Sequence, residues 1–190
     1  MSLFSHDRYE LRKQAIALTG RFRVFDMQGN QLMFSQQKAF KLREDIRVYT
    51  DEQKTNEVLY IQARQIIDFS AAYDVIDSSS GQKVGALRRR GMKSLVQDEW
   101  EFLNASDVPF AVMKEDSLFL ALFRRILSGL VPQNYDVLIN GQRVADLKQN
   151  FNPFTYRLTM DFSMDSMSQI DRRLGIAAGI LLAAIEGRQR

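Results

Sequence analysis

The strongest hydrophobic pattern in this chain lies near its C-terminus, where no position from Leu174 to Ile185 carries a polar side chain. A helix over this stretch has no face that suits water, so it must be surrounded by apolar material. Twelve residues of helix span about 18 Å, whereas the hydrocarbon core of a bilayer is about 30 Å thick. The stretch therefore predicts a helix at about residues 168–187 that is buried inside its own domain.

Most of the chain before this helix alternates short runs of β-forming residues with turn residues. The turn residues are mainly Asp, Asn, Ser and Gly, and the runs include 21–25, 46–49, 58–61, 73–76, 83–87, 100–103 and 109–113. Strands at this spacing predict an antiparallel meander that closes into a barrel or a sandwich.

Two later segments show the strand pattern most sharply. Residues 135–139 and 143–147 flank Asn140-Gly141, a dipeptide that suits the positive φ angles of a type I′ hairpin turn. From residue 154 to residue 161, apolar and polar side chains alternate strictly. This alternation predicts a strand with one buried face and one polar face.

One internal segment has the pattern of a helix. Asp116 or Ser117 can cap it, and Gly129 can end it, so we predict a helix near Ser117–Ser128. Its Phe and Leu side chains suit a cover over one end of a barrel, and the alternative is a helix that lies in a membrane interface. No Pro-rich or Gly-rich linker interrupts the chain. We therefore expect a single domain over residues 1–190, with strands over about 7–162.

Composition narrows the classes of function. The chain is 45% hydrophobic and 26% charged, which is typical of a soluble globular protein. A net charge of +3 does not indicate nucleic-acid binding, and the absence of cysteine excludes thiol catalysis and thiolate metal sites. The N-terminus lacks the apolar stretch of a signal peptide, so we expect a cytoplasmic protein.

The order of four segments resembles the tubby C-terminal-like superfamily, and most closely its LURP-one-related branch, which is akin to the phospholipid scramblases. These segments are residues 9–14, the 25–30 hairpin, the 73–88 unit with its turn, and 171–174 at the start of the last helix. The resemblance covers about residues 7 to 187. It implies a closed antiparallel barrel of about twelve strands that encloses the hydrophobic C-terminal helix.

The resemblance also implies a class of ligand. The tubby branch is associated with phosphoinositide headgroups, and the scramblases with membrane lipids and calcium. Scramblases carry an acidic calcium segment before the final helix, whereas the matching stretch here, residues 160–168, has only Asp161 and Asp165 as carboxylates. Calcium binding therefore does not carry over, and we predict no metal and no cofactor.

The densest positive cluster of the chain is the candidate binding site. Arg88, Arg89, Arg90 and Lys93 lie within six consecutive residues and could receive the phosphates of an anionic lipid headgroup. The alternative is a solvated hairpin end whose arginines pair with nearby acids. On a strand, Arg88 and Arg90 would face one side and Arg89 the other, which weakens the prediction of a single pocket.

The sequence favours a binding module over an enzyme. His6 is the one histidine of the chain, no pair of carboxylates has a spacing that indicates acid–base catalysis, and no Gly-rich loop leads from a strand into a helix. We predict a non-enzymatic module that recognises an anionic phospholipid headgroup or tethers a partner at a membrane surface. The alternatives are a protein-interaction scaffold with no small-molecule site, and an enzyme whose site is built from loops.

Overall fold

The structure is a computed structural model that describes residues 3–14, 20–37, 45–64, 71–90, 99–115, 134–150 and 155–186. These residues form twelve antiparallel strands that close into a barrel, because each strand pairs with its neighbours in the chain and β1 also pairs with β12. The strands are β1 (Arg8–Gln14), β2 (Gly20–Phe25), β3 (Gln31–Gln37), β4 (Ile46–Tyr49), β5 (Glu57–Ala63), β6 (Ala72–Asp77), β7 (Lys83–Arg89), β8 (Glu99–Leu103), β9 (Pro109–Glu115), β10 (Asn134–Ile139), β11 (Gln142–Gln149) and β12 (Thr155–Asp161), and one helix, α1 (Arg172–Glu186), follows them.

The predicted barrel with a C-terminal helix is confirmed. The predicted Asn-Gly hairpin is confirmed as well, since Asn140 has a φ of 51° and Gly141 a φ of 80°, both positive as a type I′ turn requires. The predicted strand near residue 154 is β12, whose burial alternates along its length. The helix predicted near Ser117–Ser128 lies outside the described residues.

The helix α1 occupies the inside of the barrel. Every residue from Leu174 to Ala184 is buried, and α1 contacts β1, β6, β7 and β12. At its C-terminal end, Lys13 Nζ of β1 donates a hydrogen bond of 3.1 Å to the carbonyl oxygen of Ala183. The last turn of α1 has no basic residue of its own, so β1 supplies the cation that a helix C-terminus favours.

The helix begins four residues later than predicted because an aspartate folds the preceding segment into turns. Asp165 accepts hydrogen bonds from the backbone N–H groups of Gln169 and Ile170 at 2.8 and 2.9 Å, and from Arg172 Nη1 at 2.9 Å. Asp171 then caps the helix, since its Oδ1 accepts the N–H of Arg173 at 2.9 Å. The segment predicted as the first turn of the helix therefore forms the entry to the barrel.

Two helical glycines let α1 lie close to the barrel wall. A Cβ atom on Gly175 would lie 2.4 Å from the Phe162 ring, and one on Gly179 would lie 2.4 Å from Met160 Sδ and 3.4 Å from Leu158. Leu158 of β12 therefore forms part of the wall beside α1, and Tyr156 of the same strand is also buried.

The Gly175→Ala substitution should destabilise the protein by about 1–3 kcal/mol, because the added methyl group overpacks the contact with the Phe162 ring. In an exposed helix the same substitution stabilises by up to about 1 kcal/mol. The sign of the change in the free energy of unfolding therefore shows whether Gly175 is closely packed. Urea unfolding measures the change. The double variant Gly175→Ala/Phe162→Leu should recover part of the loss, and a stabilised single variant would contradict the close packing of α1.

An ion pair joins α1 to the last residue of β6. Arg173 Nη1 lies 2.6 Å from Asp77 Oδ2, and Arg173 Nη2 lies 2.6 Å from Asp171 Oδ2. Asp77 also accepts the hydroxyl and the N–H of Ser79 at 2.5 and 2.9 Å. These hydrogen bonds, with that of Ser79 the largest contribution and that of Arg173 next, lower the pKa of Asp77 to about 2.

The Asp77 pKa predicts how stability depends on pH. A carboxylate whose pKa is lowered by folding stabilises the native state above its unfolded pKa of about 3.9, and that contribution is lost as the pH falls toward the native value. The Asp77→Asn variant should therefore melt at a lower temperature than the wild type at pH 7, and this difference in melting temperature should become smaller between about pH 4 and pH 2. A difference that stays constant over this range would show that Asp77 is not the titrating group.

Candidate functional site

The predicted basic segment lies at the end of β7, where it meets two glutamates of β8. Arg88 lies opposite Glu101 in the strand register, and its Nε and Nη2 lie 2.7 and 2.6 Å from Glu101 Oε2. Arg90 uses Nε and Nη2 to contact the other oxygen, Oε1, at 2.9 and 2.7 Å. One buried carboxylate therefore holds two guanidinium groups side by side.

A second carboxylate extends this arrangement to β9. Arg90 Nη1 lies 2.5 Å from Glu99 Oε1, and Lys114 Nζ lies 3.8 Å from Glu99 Oε2. We call Arg88, Arg90, Lys114, Glu99 and Glu101 the β7–β9 charge cluster. It has three cations and two carboxylates, so its net charge is positive.

The charges of the cluster are arranged in two layers. The Glu101 side chain is 7% exposed, whereas those of Arg88, Arg90 and Lys114 are 40%, 56% and 47% exposed. The carboxylates thus lie beneath the cations, and the layer that meets solvent is positive. This layer can receive an anion without first displacing a carboxylate from the surface.

Burial and ion pairing act in opposite directions on Glu101. Burial alone would raise the pKa of Glu101, but the hydrogen bonds and charges of Arg88 and Arg90 outweigh it and leave the pKa below its ordinary value. The same pairing, led by the hydrogen bond to Glu101, raises the pKa of Arg90. Both groups therefore stay charged at neutral pH.

The four predicted site residues are only partly brought together. Arg88 and Arg90 share one face as predicted, while Arg89 lies opposite Trp100 in the register and so belongs to the other face of β7. Lys93 lies outside the described residues. The pairing with acids that the alternative interpretation expected is present for Arg88 and Arg90.

Sequence reasoning missed Glu99, Glu101 and Lys114. The signal available was the alternation of Glu99 and Glu101 around Trp100, which places both carboxylates on one face of a strand. Which strand they would meet depends on the register between β7 and β8, and a sequence does not reveal that register.

A groove begins at the cluster and runs along the outer wall of the barrel. Its volume is about 680 Å³, and Arg90, Glu101 and Lys114 lie at one end of it. Its apolar wall is formed by side chains of β9 and β10, namely Pro109, Phe110, Val112, Leu138 and Ile139, while Asn140, Gly141 and Gln169 lie at the other end. A volume of this size is typical of small-molecule sites, which fall in the range of about 300–1,000 Å³.

The two carboxylates weighed as calcium ligands have structural partners instead. Asp161 lies 2.8 Å from Arg8 Nε and accepts the N–H of Ser163 at 2.9 Å, and Asp165 holds the entry to α1. Within the described ranges, no group of three or more His, Asp or Glu side chains could hold a metal ion. Helices long and apolar enough to cross a bilayer are likewise not found among these residues.

The histidine contacts an aromatic residue of the barrel. The backbone N–H of His6 donates to Tyr9 Oη at 3.1 Å, and the two rings meet edge to face with their centres 5.7 Å apart. Burial raises the pKa of Tyr9 to about 12, so its hydroxyl stays protonated and donates to the Leu3 carbonyl oxygen. His6 therefore fastens the N-terminal segment to β1.

Comparison with known families identifies the chain at the level of family. The model of the LURP-one-related family matches residues 31–183, which is most of the chain. The protein belongs to the LURP-one-related family. Its closed barrel around an apolar helix agrees with the tubby-like superfamily to which the sequence pointed. No curated protein shows significant similarity to the chain.

Replacing the buried carboxylate tests the layered arrangement of this LURP-one-related protein. Glu101→Gln should lower stability by about 1–2 kcal/mol, because two guanidinium groups lose a charge-assisted hydrogen bond while remaining partly solvated. Glu99→Gln should change stability by less than about 1 kcal/mol, because the Glu99 side chain is 22% exposed and its ion pairs are more solvated than those of Glu101. Chemical unfolding of both variants measures the difference, and equal losses would contradict the layering.

Proposed function

We propose that this LURP-one-related protein is a non-enzymatic module that binds anionic phospholipid headgroups at a membrane surface. The observation that carries the proposal is the layered β7–β9 charge cluster, which exposes Arg88, Arg90 and Lys114 above two carboxylates. Guanidinium groups match phosphate oxygens in a forked geometry, and an ammonium group adds a positive point charge. The cluster therefore suits a phosphate at the membrane surface.

The groove beside the cluster supports a lipid over a free anion. Val112 lies between Glu101 and Leu138 in the strand registers, so an apolar row begins where the charges end. A phospholipid has the same sequence of properties, since its phosphate leads into glycerol and then into acyl chain. The polar end of a lipid can thus contact Arg90 and Lys114 while its apolar part follows Val112 and Leu138.

The surroundings of the carboxylates support a non-enzymatic role. Asp77, Glu101 and Asp165 are each engaged by an arginine and serve the fold or the cluster. General acid–base catalysis needs a titratable group with its pKa near the working pH and its proton within reach of a substrate. The pKa of Asp77, about 2, and the lowered pKa of Glu101 both lie well below neutral pH.

A protein-interaction scaffold is the second candidate. Val108, next to the groove residue Pro109, is 55% exposed, and Met167, two residues before the groove residue Gln169, is 76% exposed. Exposed methionine is common on surfaces that bind proteins, because its side chain adapts to different partners. This candidate predicts binding that needs Met167 and is independent of lipid.

Flotation with vesicles that contain phosphatidylserine or a phosphoinositide tests the lipid proposal. Lys114→Gln should weaken binding about fivefold, since each cation near an anionic membrane contributes about 1 kcal/mol. The matched control is Arg47→Gln on β4, which removes one charge from a side chain that is 51% exposed, close to the 47% of Lys114. Higher salt should weaken wild-type binding, because the Debye length falls to about 3 Å at 1 M.

The outcomes separate the candidates. Wild-type binding that Lys114→Gln weakens and Arg47→Gln does not would support the lipid proposal. Equal binding of both variants, or no binding by the wild type, would contradict it. The wider set predicted from the sequence, Arg88, Arg89, Arg90 and Lys93, should lose binding when neutralised together.

A further inference from the structure

Three arginines face one another across three neighbouring strands on the outer wall of the barrel. Arg12 of β1 lies opposite Arg157 of β12 and opposite Arg23 of β2. Side chains directly opposite each other on adjacent strands have Cβ atoms about 4.5–5.5 Å apart, and like charges in such positions destabilise a sheet. We call Arg12, Arg23 and Arg157 the arginine row.

Two members of the row have a carboxylate and an aromatic ring of their own. Arg12 pairs with Glu10, and its Cζ lies 4.1 Å from the centre of the Phe25 ring. Arg23 Nε lies 2.7 Å from Glu52 Oε1, and its Cζ lies 6.0 Å from the centre of the Phe34 ring. Each of these two guanidinium groups therefore has an anionic partner and an aromatic ring within reach.

The third member differs from the other two in an unpaired nitrogen atom. Arg157 Nε is buried and has no hydrogen-bond partner among the residues that the structure describes. Its neighbours on the same face of β12 are Thr155 and Thr159, which carry no charge, and the adjacent carboxylate of Glu10 is engaged by Arg12. A buried donor without an acceptor costs about 1–3 kcal/mol, so this position favours an acceptor from outside the chain.

We propose that the arginine row is an oxyanion site that binds a phosphate monoester. A phosphate monoester presents three terminal oxygens and carries close to two negative charges at neutral pH. It can therefore accept hydrogen bonds from adjacent guanidinium groups at once, whereas a carboxylate offers only two oxygens. Such a ligand would satisfy Arg157 and relieve the repulsion along the row.

This site is separate from the site of the proposed function. In the closed order of twelve strands, β1 and β7 are six strands apart in either direction, so the arginine row and the β7–β9 charge cluster lie on opposite walls. The phosphate could be that of a soluble ester or of a lipid headgroup. The inference concerns the phosphate chemistry that both share, and it does not depend on the lipid proposal.

Thermal unfolding in sodium phosphate and in sodium chloride of equal ionic strength tests the site. The wild type should melt at a higher temperature in phosphate, because a ligand that binds only the folded state stabilises it by RT ln(1 + [L]/Kd). Equal melting temperatures in the two salts would overturn the proposal, because phosphate would then act on the protein only through its ionic strength.

The substitution Arg157→Met gives a test with a distinctive sign. It removes the buried donor and one repulsive charge but keeps an apolar side chain of similar length. In chloride the variant should melt at or above the wild-type temperature. In phosphate its melting temperature should rise less than that of the wild type, because only the general stabilisation by a kosmotropic anion remains. Arg47→Met is the matched control, since Arg47 also stacks on an aromatic ring, Tyr60 at 4.4 Å, and should keep the full wild-type response.

A second variant keeps the test decisive if Arg157→Met folds poorly. Arg23→Met should also lose the specific response to phosphate. Arg157→Lys keeps the positive charge but lacks the paired N–H donors of a guanidinium group, so it should bind phosphate about tenfold more weakly. A full phosphate response in either methionine variant would overturn the site.

Calorimetry with a nucleoside monophosphate and flotation with phosphatidic acid vesicles distinguish the two sources of phosphate. Binding of the nucleotide that requires Arg157 identifies a soluble ester, and vesicle binding that requires Arg157 identifies a lipid headgroup. Both results support the oxyanion site. If the wild type and Arg157→Met give the same result in both assays, the site is overturned. Lys114→Gln should have no effect on the nucleotide, so failure of one site does not imply failure of the other.

Discussion

The structure depends on the burial of one helix, α1, that has no polar face. Eleven consecutive residues from Leu174 to Ala184 are buried, which a helix on a protein surface cannot achieve. A closed barrel meets this need because it surrounds the helix on all sides and leaves no unpaired strand edge. The glycines at 175 and 179 then set how close the wall can approach, and the ion pairs of Arg172 and Arg173 fix where the helix enters.

A barrel whose inside holds an apolar helix directs binding to its outer wall. Outward-facing positions of the strands carry the charges, and their strand registers decide which charges meet. At β7–β9 the registers place cations above one buried and one half-buried carboxylate and leave a positive layer beside an apolar groove. At β12, β1 and β2 the registers instead place three arginines side by side.

These two surfaces differ in how their charges are balanced. At the β7–β9 charge cluster, Glu101 supports two guanidinium groups from below, so the cluster is stable before any ligand arrives. In the arginine row, Arg157 Nε lacks an acceptor among the described residues, and the neighbouring cations repel the Arg157 side chain. The first arrangement suits a reversible encounter with an anionic surface, whereas the second suits a ligand that completes the site.

Periodicity and hydropathy alone determined the antiparallel strands and the buried helix, while the closure of the strands into a barrel was implied by the family resemblance. The alternation in β12, the Asn140-Gly141 turn and the apolar run after Leu174 are local patterns whose meaning does not depend on distant residues. The sequence also located Arg88 and Arg90 as a pair on one face. Only the tertiary structure decided that Glu101 lies beneath them, that Lys114 joins them, and that Arg12, Arg23 and Arg157 form a row. The reason is physical, because strand register sets the partners across a sheet. Residues such as Arg12 and Arg157, which are 145 positions apart in the chain, become neighbours only when the barrel closes.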